Sequence, residues 1–169
     1  MKTSRLAVIA LTVALSAGAA LLAYRSLGQR EITPPVSYVL LDGVKVDSSQ
    51  WKGKVMLVNF WATSCSTCVQ EMPQIVATYE KFKSRGFDTL AVAMSYDPPA
   101  FVANFAESRQ LPFGIAIDNT GEIARQFGQI QLTPTTLLIN KRGEIVKRYV
   151  GVPDFAALHG LVEQLLAES

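Results

Sequence analysis

The stretch VMLVNFWATSCSTC, residues 55–68, decides the fold. Val55–Phe60 is a nearly unbroken apolar run of strand length, the pattern of a strand buried on both faces, with Asn59 its one polar member. From Ser66 the pattern turns helical and continues to Lys83, and Gly86 stands where a left-handed residue closes a helix. Pro73 falls inside this helix, where it removes one backbone donor and predicts a kink. Between strand and helix lie the only two cysteines, Cys65 and Cys68.

Working outward, Val36–Leu41 and Val44–Val46 flank Asp42-Gly43, which predicts a hairpin with a two-residue turn. Ser48–Lys54 is a polar loop carrying Trp51 and Gly53. On the other side, Phe87–Met94 reads as a second buried strand and Pro98–Gln110 as a helix opening on proline, where proline is tolerated. Phe113–Ile117 is a short strand and Gly121–Phe127 a short helix. Thr135–Asn140 and Glu144–Val150 are strands joined by Lys141-Arg142-Gly143, and Asp154 caps a closing amphipathic helix that ends near Ala167. Strands alternating with helices predict an α/β domain, a central mixed sheet covered on both faces.

The chain has 169 residues, 49% hydrophobic and 18% charged, with a net charge of +2. These values suit one domain and exclude collagen-like, coiled-coil and disordered classes. Two cysteines cannot staple a chain of this length, so a disulfide scaffold is excluded as well. Residues 1–30 read as a separate module. Leu6–Tyr24 is uncharged and mostly apolar, and as a helix it spans roughly 28 Å, close to the ~30 Å bilayer core. This predicts an N-terminal membrane anchor with a transmembrane helix over about 6–24. The rival reading is a cleaved signal peptide ending at Ala17-Gly18-Ala19, although the apolar run continues past that site through Tyr24. Lys2 and Arg5 keep the N-terminus cytoplasmic and predict that the rest is exported, either held at the membrane or free after cleavage. Residues 31–35, with Pro34-Pro35, form a linker, and 36–169 the folded domain. From residue 31 onward, 12 basic residues face 14 acidic ones, so the basic excess belongs to the anchor and no nucleic-acid stripe remains.

Cys65-Ser66-Thr67-Cys68 carries the chemistry. At a helix start, residues three apart have Cα atoms on the order of 5 Å apart, within disulfide range. So short a loop stabilises by only about 2 kcal/mol, which suits a bond that opens and closes. Cys65 sits at the helix N-terminus, where free N–H groups favour a thiolate, so it is the expected nucleophile. Cys68, one turn deeper, is the expected resolving thiol. One cysteine pair and one histidine, His159, cannot complete a Cys/His tetrahedron, so no metal site or cofactor is expected.

Phe60–Cys68, followed by Pro73 and by Leu132-Thr133-Pro134-Thr135, resembles the thioredoxin superfamily. The anchor, the Asp42-Gly43 hairpin, Trp51-Lys52-Gly53-Lys54 and the β/α insert around 95–118 resemble its membrane-anchored TlpA/ResA group of thiol–disulfide oxidoreductases. That resemblance covers roughly residues 36–167. It implies a thioredoxin-like fold with an N-terminal hairpin and a central insert. It makes Pro134 a cis-proline facing the disulfide and Thr133 a backbone partner of substrate. Glu71 would be an acid that tunes the cysteines, and Trp61 would pack at the substrate-binding face. Asn59 stands where thioredoxin has a buried aspartate, Ser64 replaces the usual tryptophan, and Ser66-Thr67 replaces Gly-Pro or Glu-Pro. The implied function is a reductase of protein disulfides in cytochrome c or cytochrome oxidase assembly, supplied with electrons by a membrane protein resembling DsbD/CcdA. A DsbA-like oxidant is the rival within the class. A peroxiredoxin would need Pro-x-x-x-Thr-x-x-Cys, which is absent. A Sco-like copper-delivery protein would use His159 with the two thiols, although its cysteine spacing differs.

Overall fold

A computed structural model describes residues 31–168. In chain order its elements are β1 (Glu31–Ile32), β2 (Ser37–Val39), β3 (Lys45–Asp47), β4 (Val55–Trp61), α1 (Ser66–Phe82), β5 (Phe87–Ala93), α2 (Pro99–Ser108), β6 (Gly114–Ile117), α3 (Glu122–Gln126), β7 (Thr135–Ile139), β8 (Glu144–Val150) and α4 (Phe155–Ala167). Six strands make one mixed sheet in the order β1-β8-β7-β4-β5-β6. β4, β5 and β6 run parallel, while β7 lies antiparallel to β4 and β8 antiparallel to β7.

All seven residues of β4 are buried, as its apolar run requires. The two-residue period of a strand divides them between two cores. Met56, Val58 and Phe60 pack with Tyr38, Trp51, Ile123 and Phe127, so the β2–β3 hairpin and α3 cover that face. Val55, Leu57 and Trp61 pack with Cys68, Met72, Ile75, Val102 and Leu158, so α1, α2 and α4 cover the other. Parity therefore turns Asn59 toward α1. On the hairpin side Phe127 is fully buried, with ring centroids 5.7 Å from Phe60 and 6.3 Å from Trp51.

Two details differ from the sequence reading. The hairpin turns through three residues rather than two: Gly43 N–H donates to the Leu40 carbonyl at 2.9 Å, and Leu40 N–H to that of Val44 at 2.9 Å. Gly43 has φ +87°, the left-handed residue that follows a type I turn in such loops. Within the expected 31–35 linker, Glu31 and Ile32 pair with the outer edge of β8, and Arg148 Nη2 binds the Glu31 carboxylate at 3.1 and 3.2 Å. Two residues are too few for periodicity to reveal a strand. α1 spans Pro73, which is exposed, so the lost donor falls on the solvent side. Among the described residues no helix is long and apolar enough to cross a membrane. The expected span over 6–24, with all of residues 1–30, lies outside them.

Candidate active site

The cysteine pair stands where β4 gives way to α1. Cys65 is the N-cap of α1, with extended φ −87° and ψ 102°, and its Sγ accepts the backbone N–H of Cys68 at 3.2 Å. The two sulfurs are bonded to each other, with Cα atoms 5.2 Å apart. Cys65 is half-buried, whereas Cys68 is fully buried among Trp61, Met72 and Ile75. An incoming sulfur or thiolate therefore reaches Cys65 and not Cys68. The unpaired N–H groups of the helix start favour negative charge on the accessible sulfur.

Strand register gathers the other expected residues at this end of the sheet. Phe60 lies opposite Thr135, which sets Pro134 beside the end of β4. The Thr133–Pro134 bond is cis, and Gly151 N–H donates to the Pro134 carbonyl at 2.8 Å, tying this loop to the end of β8. The chain leaving β5 is fixed by Met94 N–H donating to the Trp61 carbonyl at 3.0 Å. Two residues on, Tyr96 Oη is 3.2 Å from Thr133 Oγ1. Tyr96 and Leu132 are 57% and 65% exposed, leaving large side chains open at the end of the sheet that carries the pair. The site thus lies beyond the carboxyl ends of the parallel strands, where open α/β sheets hold their ligands.

Glu71 lies beneath the pair. The buried stripe of α1 runs Cys68, Glu71, Met72, Ile75, Thr78, Phe82, so Glu71 faces the sheet one turn beyond Cys68. It is 3% exposed and accepts from Asn59 Nδ2 at 3.0 Å through Oε1. The same Asn59 amide nitrogen donates to Thr136 Oγ1 at 3.0 Å, so one side chain links α1, β4 and β7. Burial pushes the Glu71 carboxyl up to about 7, and the bond from Asn59 offsets part of that rise. The carboxyl can therefore exchange a proton near neutral pH, one helical turn from Cys68.

Trp61 is placed otherwise than expected, and His159 lies away from the pair. Trp61 is fully buried, with its ring 5.1 Å from that of Phe105, so it supports the pair from within and offers a substrate no surface. His159 Nε2 is 2.9 Å from Thr78 Oγ1, whose hydroxyl donates to the Gln74 carbonyl, and its ring lies 5.4 Å from that of Phe82. Thr78 is ten residues past Cys68, roughly 15 Å along the helix. His159 therefore cannot join the two sulfurs around one copper ion, and the copper-delivery alternative loses its third ligand. Asp97 was missed by the sequence reading. It is 2% exposed, and its carboxylate accepts from Thr63 N–H at 2.6 Å and from Thr63 Oγ1 at 2.5 Å. The one available signal was an acid in the short segment between a buried strand and Pro98-Pro99.

Residues 28–163 match the redoxin family. The thiol-disulfide oxidoreductase ResA of Bacillus thuringiensis subsp. konkukian is 38% identical over 111 residues, which cover 66% of this chain and 63% of that protein. The chain thus spans less than two thirds of that relative's length. ResA of Halalkalibacterium halodurans is 34% identical over 170 residues, covering 99% of this chain and 90% of its own. The crystal structure of a thiol:disulfide interchange protein of the thioredoxin family from Chlorobium tepidum superposes with a TM-score of 0.75 at 28% identity, over 83% of this chain and 99% of that one. The mixed sheet and its covering helices have the thioredoxin-like fold that the Cys65–Cys68 segment predicts. The chain belongs to the redoxin family, as a TlpA/ResA-like member of the thioredoxin superfamily.

Proposed function

We propose that this chain is a thiol–disulfide oxidoreductase that reduces protein disulfides outside the cytoplasm. The observation that carries this reading is the asymmetric pair, an accessible Cys65 at a helix N-terminus bonded to a buried Cys68. In the reduced state the Cys65 thiolate attacks one sulfur of a substrate disulfide, forming a mixed disulfide and releasing a substrate thiolate that takes up a proton. Cys68 then attacks Cys65 Sγ, releasing the second substrate thiol and closing the Cys65–Cys68 bond. Two electrons and two protons pass from the pair to the substrate. Glu71 takes the proton that Cys68 loses as it becomes the attacking thiolate, and the main chain of Thr133 beside Pro134 aligns the substrate segment.

The family supplies the rest of the proposal. Residues 1–30 anchor the chain in a bacterial inner membrane with the described residues in the periplasm. A membrane donor resembling DsbD/CcdA re-reduces the pair, and the substrates are cysteines of cytochrome c or cytochrome oxidase assembly. The reduction potential of the pair tests the direction of flow. A value near the ~−270 mV of thioredoxin supports a reductase, and one near the ~−120 mV of DsbA makes the chain an oxidant.

A further inference from the structure

We infer that Asp97 is a positioning residue for Cys65, and that with Tyr96 it braces the two loops on either side of the disulfide. The inference rests on the oxidoreductase reading and adds to it a residue that touches neither sulfur. The molecule contains a useful contrast in Asp118. Both are buried acids, but Asp118 caps its own neighbourhood, accepting from Ile123 and Ala124 N–H at 3.1 and 2.8 Å at the start of α3. Asp97 caps nothing local. Both of its oxygens go to Thr63, 34 residues away in sequence and two residues before Cys65.

Burying a carboxylate is costly unless its oxygens are hydrogen-bonded, and among the described residues Asp97 forms no ion pair. Its two short bonds therefore fix Thr63 firmly, and through it the turn in which Cys65 N–H donates to the Ala62 carbonyl at 3.1 Å. That turn sets the N-cap geometry that aims the Cys68 N–H at Cys65 Sγ. The preceding residue holds the opposite loop, since Tyr96 Oη bonds Thr133 Oγ1 next to Pro134. Adjacent residues of one short segment thus grip both walls of the site.

The brace and a bare charge effect have opposite signs. The acids near the pair are Glu71 on α1 and Asp97 on the segment after β5, and the Tyr96 phenol lies on the exposed side, against Thr133. If Asp97 acted only through its charge, removing it would ease ionisation of Cys65. If it acts by holding the helix start, removing it misaligns the donors and makes ionisation harder.

The test is the pH profile of Cys65 alkylation by iodoacetamide in the reduced full-length chain, read by peptide mass. Asp97→Ala and Thr63→Val should move the midpoint up by about half a pH unit, a roughly threefold loss of rate below it. Asp97→Asn and Thr63→Ser should stay near wild type. The asparagine oxygen can accept the Thr63 N–H while its amide donates to Thr63 Oγ1. A downward movement in both Asp97 variants, or no movement in Asp97→Ala and Thr63→Val, overturns the brace. Should Asp97→Ala fail to fold, the Thr63→Val and Thr63→Ser pair decides alone. Alkylation needs no substrate, so a wild-type chain unable to reduce a protein disulfide would refute the oxidoreductase reading and leave this result to be judged separately.

Discussion

Replacing Glu71 by glutamine should abolish one pH-dependent component of stability. Folding raises this carboxyl from 4.5 to about 7. The folded chain therefore binds a proton more readily than the unfolded chain between those values, and stability falls as pH rises through that window. At about 1.4 kcal/mol per pH unit the full difference is about 3 kcal/mol. Residual solvent screening reduces the expected value to about 2 kcal/mol. Glutamine keeps the Asn59 donor bond to Oε1 but cannot ionise. Relative to wild type, Glu71→Gln should be about 2 kcal/mol more stable at pH 8 than at pH 4. Burial also lowers the His159 imidazole, which makes stability rise with pH around its own titration, but that slope is common to both proteins and cancels in the difference. Urea denaturation of the oxidised full-length chain from pH 4 to pH 8 measures it. A difference that stays constant across that range would refute a buried, proton-exchanging Glu71.

Asn59→Ala removes the donor that restrains the Glu71 carboxyl, so the fall in stability should extend to higher pH, and stranding Glu71 and Thr136 should cost about 1–3 kcal/mol; an unmoved window in the same titration would contradict the link. Phe127→Ala empties the aromatic contact between Phe60 and Trp51 and should cost about 3–5 kcal/mol in urea denaturation, with alkylation of Cys65 unchanged because that core lies across the sheet from the pair. His159→Ala should leave the rate of protein disulfide reduction unchanged, since the histidine sits at the far end of α1; a tenfold loss would show that it reaches the pair.

The fold was legible where burial and periodicity agree. β4 is apolar throughout because helices cover one face and the hairpin with α3 the other, and that double burial is written directly into Val55–Phe60. The cysteine pair was legible because spacing, position at a strand-to-helix junction and the scarcity of other cysteines converge on one reading. Glu71 was half legible. The resemblance marked it as an acid near Cys68, but its burial depends on the Asn59 donor that β4 turns toward α1, a tertiary contact no local pattern encodes. Asp97 was hidden because its partners are reached by a tertiary contact that no local pattern encodes. Trp61 illustrates the limit of resemblance: a residue type common at such sites lies here beneath the surface, since strand parity turns it toward Phe105.

The most direct test of an exchange that begins at Cys65 is a trapping experiment with Cys68→Ser. Without the buried thiol the mixed disulfide cannot resolve, so a substrate protein bearing an accessible disulfide should accumulate as a stable adduct. Peptide mass mapping of that adduct under non-reducing conditions should place the bond on Cys65. Adducts that form with Cys65→Ser instead, carried on Cys68, or none with either variant, would contradict the account.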